Sequence, residues 1–236
     1  MMTLPDNKYM SDEYLRDNPS WDSEDSPWKA AFVPKILNGV ELIPKSICEV
    51  GCGAGGVLAE LRKIYPNTEL FGWDIAPSAE GFWEKHQNAR INFTVGDFLA
   101  LNTRKFDVIL LLDVIEHVAD PFEFLSRLRG NANYYIFHFP LDLSATSILR
   151  ERPILEARKK VGHIHYFTKS LALSLISECG YDVKDWWYSG AAFNGPRRNW
   201  KTILASFPRR LAYALNQDWG VRALGGETLY ILAKNV

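Results

Sequence analysis

From residue 46 onward, short apolar runs alternate with segments whose apolar residues recur every three or four positions. "SICEV" reads as a short buried strand, and after a run of glycines Val57, Leu58, Leu61 and Ile64 fall on one face of a helix. "ELFGWDI" and "INFTVGDF" read as the second and third strands. "FDVILLL" is apolar on both faces, as a central strand of a parallel sheet must be. "DPFEFLSRLRG" predicts a helix with Asp120 as cap, Pro121 in its first turn and Gly130 beyond its end. "NYYIFHF" is a fifth strand closed by Pro140, and "TKSLALSLISECG" a helix between Thr168 and Gly180. "YDVKDWWYSG" and "ETLYILAKNV" are the late strands. This alternation predicts an α/β fold: an open, doubly wound, mainly parallel sheet with helices on both faces, three layers in all.

Two regions stand outside that rhythm. Residues 1–45 form an N-terminal arm and helix: Glu13, Asp17, Asp22, Glu24 and Asp25 surround Trp21, and "SPWKAAFVPKILNG" predicts one helix from Ser26 to Gly39. Residues 191–226 form an insert between the last two strands, leaving 46–190 and 227–236 as the core.

Composition narrows the class without deciding it. A chain of 236 residues, 47% of them apolar, can bury a large core, and its net charge of −1 gives no general attraction for nucleic acid. Cys48, Cys52 and Cys179 make no disulfide framework or zinc spacing, so a reducing, cytoplasmic setting is expected. No run approaches the ~18 apolar residues of a membrane span, and the first ten residues lack a signal-peptide pattern.

The chemistry gathers at strand ends. In open α/β sheets ligands bind beyond the carboxyl ends of the strands, where strand order reverses. "EVGCGAGG" leaves the first strand there, with Gly51, Gly53, Gly55 and Gly56 satisfying both G-x-G-x-G and G-x-G-x-x-G. Glycines let backbone approach a ligand closely, and the following helix N-terminus favours an anionic group. Asp74 ends the second strand, where an acid can accept from two ribose hydroxyls. Up to this point a dinucleotide and S-adenosylmethionine fit equally.

Three further features separate them. Glu49 occupies a position usually apolar in dinucleotide fingerprints; "VGDF" brings Asp97 and Phe98 to an adenine amino group and ring; "LLLDVIEHV" adds Asp113 and Val114 at the same rim. Together "CEVGCGAG", "FGWDIAP", "VGDF" and "LDVIEHV" resemble the class I S-adenosylmethionine-dependent methyltransferases over roughly residues 46–183. The resemblance implies a Rossmann-like, seven-stranded sheet with an antiparallel last strand and S-adenosylmethionine as cofactor. It also implies that Glu49, Gly51, Cys52 (through its backbone), Gly53 and Gly55 line the methionine end, Asp74 and Ile75 hold ribose and flank adenine, and Asp97 and Phe98 contact adenine. "NPSWDSEDSPWK" followed by "SICEVGCGAG" also resembles stand-alone bacterial methyltransferases acting on surface polysaccharides or small metabolites.

The acceptor side is less constrained. A sulfonium is a good leaving group, so a base is needed only for a weak nucleophile such as an alcohol. His117, His138 and His165 are the candidates for it. Asp113, Glu116 and His117 share a face if 113–117 turn helically, and His163 and His165 share one if "GHIHYF" is extended. Such a set can bind a divalent cation, as E-x-x-E-H does in some class I enzymes acting on catechol-like or RNA ribose hydroxyls. Here the first acid is the shorter Asp113, and the reading taken is metal-free. Arg197, Arg198, Arg209, Arg210 and Arg222 make the insert basic, which suits a pocket cover or dimer contact better than RNA. The expected reaction is methylation of a small-molecule or glycan hydroxyl, with Tyr14, Trp21, Trp28 and the insert walling the acceptor. An RNA methyltransferase, a nicotinamide-dependent reductase and a non-catalytic cofactor-binding protein are the alternatives.

Overall fold

The computed structural model describes residues 9–11, 13–194 and 200–235. Arg197 and Arg198 of the basic insert lie outside them. Seven strands form one sheet: β1 (Ser46–Val50), β2 (Glu69–Asp74), β3 (Ile91–Val95), β4 (Phe106–Leu112), β5 (Ala132–Pro140), β6 (Tyr181–Tyr188) and β7 (Thr228–Asn235). Their order is β3-β2-β1-β4-β5-β7-β6. The pairings among β1 to β5 are parallel, and β7 runs antiparallel to both β5 and β6. The sheet has the expected strand count and antiparallel last strand. The order reverses between β1 and β4, which opens a crevice at their carboxyl ends.

Strand periodicity divides the interior in two. In β4, Val108, Leu110 and Leu112 join one apolar core, while Ile109 and Leu111 join the other across the sheet. All five are nearly or fully buried, and each such side chain contributes about 1.5–3 kcal/mol on removal from water. The helix Gly56–Ile64 lays Val57, Leu58 and Leu61 on the Leu110 side. Helix starts follow the sequence: Asp120 accepts from Glu123 N–H at 2.9 Å, and Thr168 from Leu171 N–H at 3.3 Å.

The N-terminal helix differs from its prediction. Residues 26–39 form two helices, Ser26–Ala30 and Phe32–Asn38, and Ser26 lies inside the first rather than capping it. The break has a local cause: Pro34 lacks an N–H and its ring excludes the carbonyl of Ala30. Two further helices, Ala145–Arg150 and Arg152–Lys160, fill the connection after β5, which the apolar pattern left unassigned. Between β6 and β7 the insert folds as helices Ala191–Asn194, Trp200–Leu215 and Gln217–Leu224. Among the described residues no helix is long and apolar enough to cross a membrane.

Candidate active site

The glycine loop is held by the neighbouring strand. Gly51 and Cys52 donate their N–H groups to Trp73 O at 2.7 and 3.0 Å. Gly51, Gly53 and Gly55 all have φ between 49 and 76°, where a side chain is strained. The loop also admits close neighbours: a Cβ on Gly51 would stand 2.5 Å from Val114, and one on Gly53 2.7 Å from the Trp21 ring. The N-terminal arm therefore lies directly on the loop.

Asp74 faces that loop. It accepts from Gly53 N–H at 2.7 Å and from Ala76 N–H at 2.9 Å; burial pushes its carboxyl above the usual carboxylate range, and these two bonds oppose the push. Asp97 caps the short helix Phe98–Leu101 by accepting from Leu99 N–H at 2.8 Å, and Phe98 packs edge-on against Trp73. Asp74, Ile75, Asp97, Phe98 and Val114 line one cavity of about 400 Å³, with Ile75 and Asp97 exposed in it.

A second cavity of about 350 Å³ adjoins it, and Gly51, Asp113 and His117 border both. Each volume suits a small-molecule site. Glu49 lines the second cavity, only 2% exposed, and its Oε2 has no hydrogen-bond partner among the described residues. Burial pushes its carboxyl up to about 8; nearby Lys29 opposes this and Asp74 adds to it.

Asp113 has φ 59°, a left-handed conformation that Asp tolerates better than most residues. That turn aims its carboxylate at two cations or donors: Lys29 Nζ lies 2.7 Å from Oδ2, and His138 Nδ1 2.6 Å from Oδ1. These partners outweigh burial and hold Asp113 well below the usual carboxylate range, and the Asp113 charge raises Lys29. His138 is buried, with Nε2 2.7 Å from Thr228 Oγ1. Thr228 meets Ser189 Oγ at 2.6 Å, and Ser189 donates to Glu227 at 2.8 Å. Asp113, expected at the cofactor rim, thus also anchors a polar chain that runs from the arm to β7.

The "DVIEH" segment makes a single tight helical turn, Ile115–His117. It brings Glu116 and His117 to His163 but turns Asp113 away toward Lys29. Glu116 is fully buried, and neither carboxylate oxygen has a hydrogen-bond partner among the described residues. Burial and the Asp113 charge push its carboxyl well up; burial and His163 push His117 down to about 3. The Glu116 carbonyl accepts from both Ile164 and His165 N–H, at 2.9 and 3.1 Å. Two successive bonds to one oxygen break the extended alternation, so His163 turns inward while His165 faces Ala119 O at 3.4 Å. His165 lines neither cavity.

Tyr14, Trp21 and Trp28 line the second cavity, and Tyr14 and Trp21 the first as well; among the described residues of the insert only Ala191 lines the second. The described basic residues of the insert are engaged nearby: Arg209 donates to Leu224 O at 3.3 Å and Arg222 to Ser170 Oγ at 3.2 Å. Sequence reasoning missed Lys29, Ser189, Glu227 and Thr228. Only their burial or placement beside a strand end marks them, and neither is visible along the chain.

This fold, with a glycine loop between β1 and a helix and acids at the ends of β2 and β4, is the fold that the class I S-adenosylmethionine-dependent methyltransferases share. Residues 48–133 match the family model described as a methyltransferase domain. The chain is 32% identical to the ubiquinone biosynthesis O-methyltransferase of Histophilus somni over 114 residues, covering 44% of this chain and 47% of that protein. It is 31% identical to the norajmaline N-methyltransferase of Rauvolfia serpentina over 97 residues, 36% of this chain and 31% of that protein. The chain spans about half the length, or less, of these curated relatives. Among solved structures it resembles the plantazolicin methyltransferase BpumL in complex with a monoazolic desmethylPZN analogue and SAH. The TM-score is 0.64 at 20% identity, over 98% of this chain and 94% of that one. That likeness is one of fold.

Proposed function

We propose that this protein transfers the methyl group of S-adenosylmethionine to a hydroxyl of a small-molecule or glycan acceptor. The observation that carries the reading is the pair of adjoining cavities with Gly51, Asp113 and His117 in their common wall. The first has the chemistry of a nucleoside site. Asp74 and Asp97 accept from ribose and adenine donors, and Ile75 and Phe98 flank the ring. Glu49, poised in the second cavity beside the glycine loop, receives the cofactor's ammonium group. With the cofactor held so, the rest of that cavity would be left for the acceptor.

The transfer breaks the S–CH3 bond and forms O–CH3, leaving a neutral thioether and one proton to be removed. His138 takes it in its neutral form: Asp113 holds Nδ1–H, Nε2 keeps its lone pair toward Thr228 Oγ1 and the acceptor hydroxyl, and Ser189 shares its one hydroxyl proton between Thr228 and Glu227. Closing Trp21 and Tyr14 over the site excludes water, whose competition would waste the cofactor. The ubiquinone O-methyltransferase likeness supports oxygen as the methylated atom. Two further parts of the reading are finer. The buried thiols Cys48, Cys52 and Cys179 support a reducing cytoplasmic setting. Phe207, Leu211 and Leu215, exposed four residues apart along one helix, support a dimer contact.

Calorimetric titration with S-adenosylmethionine and with NADH tests the cofactor. The expected result is binding of the first alone, weakened by about 1–3 kcal/mol in Asp74→Ala, as loss of a charged hydrogen-bond partner requires. Binding of NADH alone would sink the reading. For the base, His138→Gln should lower methyl transfer about 10²–10⁴-fold with cofactor affinity intact.

A further inference from the structure

The group formed by Glu116, His117 and His163 is left without a role by the reaction above. One potential ligand atom from each lies within 4.8 Å of the others. His117 Nε2 and His163 Nε2 are both 3.9 Å from Glu116 Oε1, beyond hydrogen-bond reach. The three residues come from two segments clamped together by the Glu116 carbonyl.

The hydrogen bonds on the far side of each ring fix where its proton sits. Tyr9 donates its hydroxyl proton to Val161 O at 2.9 Å. Its oxygen, 2.8 Å from His117 Nδ1, is therefore the acceptor, and Nδ1 carries the hydrogen. On His163, Nδ1 lies 2.6 Å from Asp142 Oδ2, so Nδ1–H donates to a carboxylate. In both neutral rings the lone pair is then on Nε2, the atom aimed at Glu116. Two imine lone pairs and a buried carboxylate with no donor partner converge on one point, which is a hole for a positive charge. An outer oxygen holding Nδ1–H is also the arrangement that orients histidine ligands of metals.

We propose that Glu116, His117 and His163 form a site for a divalent first-row transition-metal ion, with Tyr9 and Asp142 as its outer supports. Two imidazoles and one carboxylate favour Zn²⁺, Co²⁺ or Fe²⁺ over Mg²⁺, which demands oxygen ligands. Bond lengths near 2.0–2.2 Å bring ligand atoms closer than 3.9 Å, so each side chain moves by well under an ångström on loading. All three residues line the 350 Å³ cavity, leaving the remaining coordination positions open to it. Asp113 is not a ligand, because Lys29 and His138 hold both its oxygens. If the methyl-transfer reading holds, an ion here would bind the acceptor oxygen and ease its deprotonation; the site itself does not depend on that reading.

The test is titration of the chelator-treated full chain with Co²⁺, followed by its visible absorption, with Mg²⁺ as the contrasting ion. The expected result is a saturable Co²⁺ spectrum displaced by Zn²⁺ and untouched by Mg²⁺. Glu116→Gln and His163→Ala should each weaken Co²⁺ binding at least a hundredfold, and Asp142→Asn about 10–100-fold. His165→Gln should leave the spectrum unchanged. Circular dichroism establishes that each variant is folded, and His163→Ala serves if Glu116→Gln is not. Absence of a Co²⁺ spectrum, a spectrum unmoved by His163→Ala, or one abolished by His165→Gln overturns the proposal. Because no cofactor or acceptor is present, failure here is separate from failure of methyl transfer.

Discussion

Replacing Glu49 with Gln should stabilise the protein at high pH and leave it nearly unchanged at low pH. Glu49 is 2% exposed, and its carboxyl is pushed from an ordinary 4.5 up to about 8. Below pH 4.5 it is protonated whether the chain is folded or unfolded, so it adds no pH dependence. Between 4.5 and 8 the folded state holds a proton that the unfolded state has released. Stability therefore falls as pH rises through that window, and stays low above it. Each pH unit is worth about 1.36 kcal/mol, so ionising Glu49 in place costs about 5 kcal/mol as an upper figure. Gln has the same shape and never ionises. Urea unfolding of both proteins at pH 5 and pH 9 should show differences within about 1 kcal/mol at pH 5. At pH 9 the variant should be more stable by roughly 2–5 kcal/mol, the spread reflecting how far Lys29 and water relax around the charge. Comparing the two proteins at each pH cancels every other titrating group in the chain. Equal differences at the two pH values would refute the assignment of Glu49 as a desolvated, unpaired acid.

Lys29→Met removes one partner of a buried charge and should cost about 3 kcal/mol in urea unfolding. In an Asp113→Asn background the same change should cost less than half as much, since the two residues share one interaction. Gly53→Ala places a methyl group against Trp21 at φ 49°; the variant should lose about 1–2 kcal/mol and expose the arm to limited proteolysis, and an arm as resistant as before contradicts the contact. Asp120→Ala should lower stability by about 1 kcal/mol in urea unfolding through loss of its cap to Glu123, and an unchanged midpoint would contradict that cap.

The sheet was legible because strand and helix periods differ along the chain, and β4 carries the clearest signature: seven residues, all apolar except Asp107. The glycine loop and the acids at Asp74, Asp97 and Asp113 were legible because a strand end fixes where its next residue goes. Partners were not. Lys29 reaches Asp113 from a helix more than eighty positions away, and nothing in "SPWKAA" signals which strand it crosses. Likewise His163 and His165 were indistinguishable in "GHIHYF", because the carbonyl that turns only one of them inward belongs to Glu116. Pro34 did carry the break between the two N-terminal helices, and the apolar spacing across it concealed the signal.

Strand-end acids are commonly sorted into those that bind a ligand and those that only brace the backbone, and Asp74 shows why the division fails here. Its two oxygens each accept one backbone N–H, from Gly53 and Ala76. A carboxylate has about four acceptor positions. Two are taken by backbone N–H groups, two remain, and Asp74 is among the residues lining the 400 Å³ cavity. The bracing bonds also oppose the upward push of burial on this carboxyl, since N–H donors favour the ionised form. An ionised acid is the stronger acceptor for ribose hydroxyls. Bracing is thus the condition for binding, not its alternative. Asp74→Asn should consequently impair both at once: it keeps the shape, gives up the charge, and turns an NH2 group toward one of the two donors. Its loss of cofactor affinity should come with a loosened loop, read as faster amide exchange at Gly53. A loss of affinity with Gly53 exchange unchanged would separate the two roles and undo the inference.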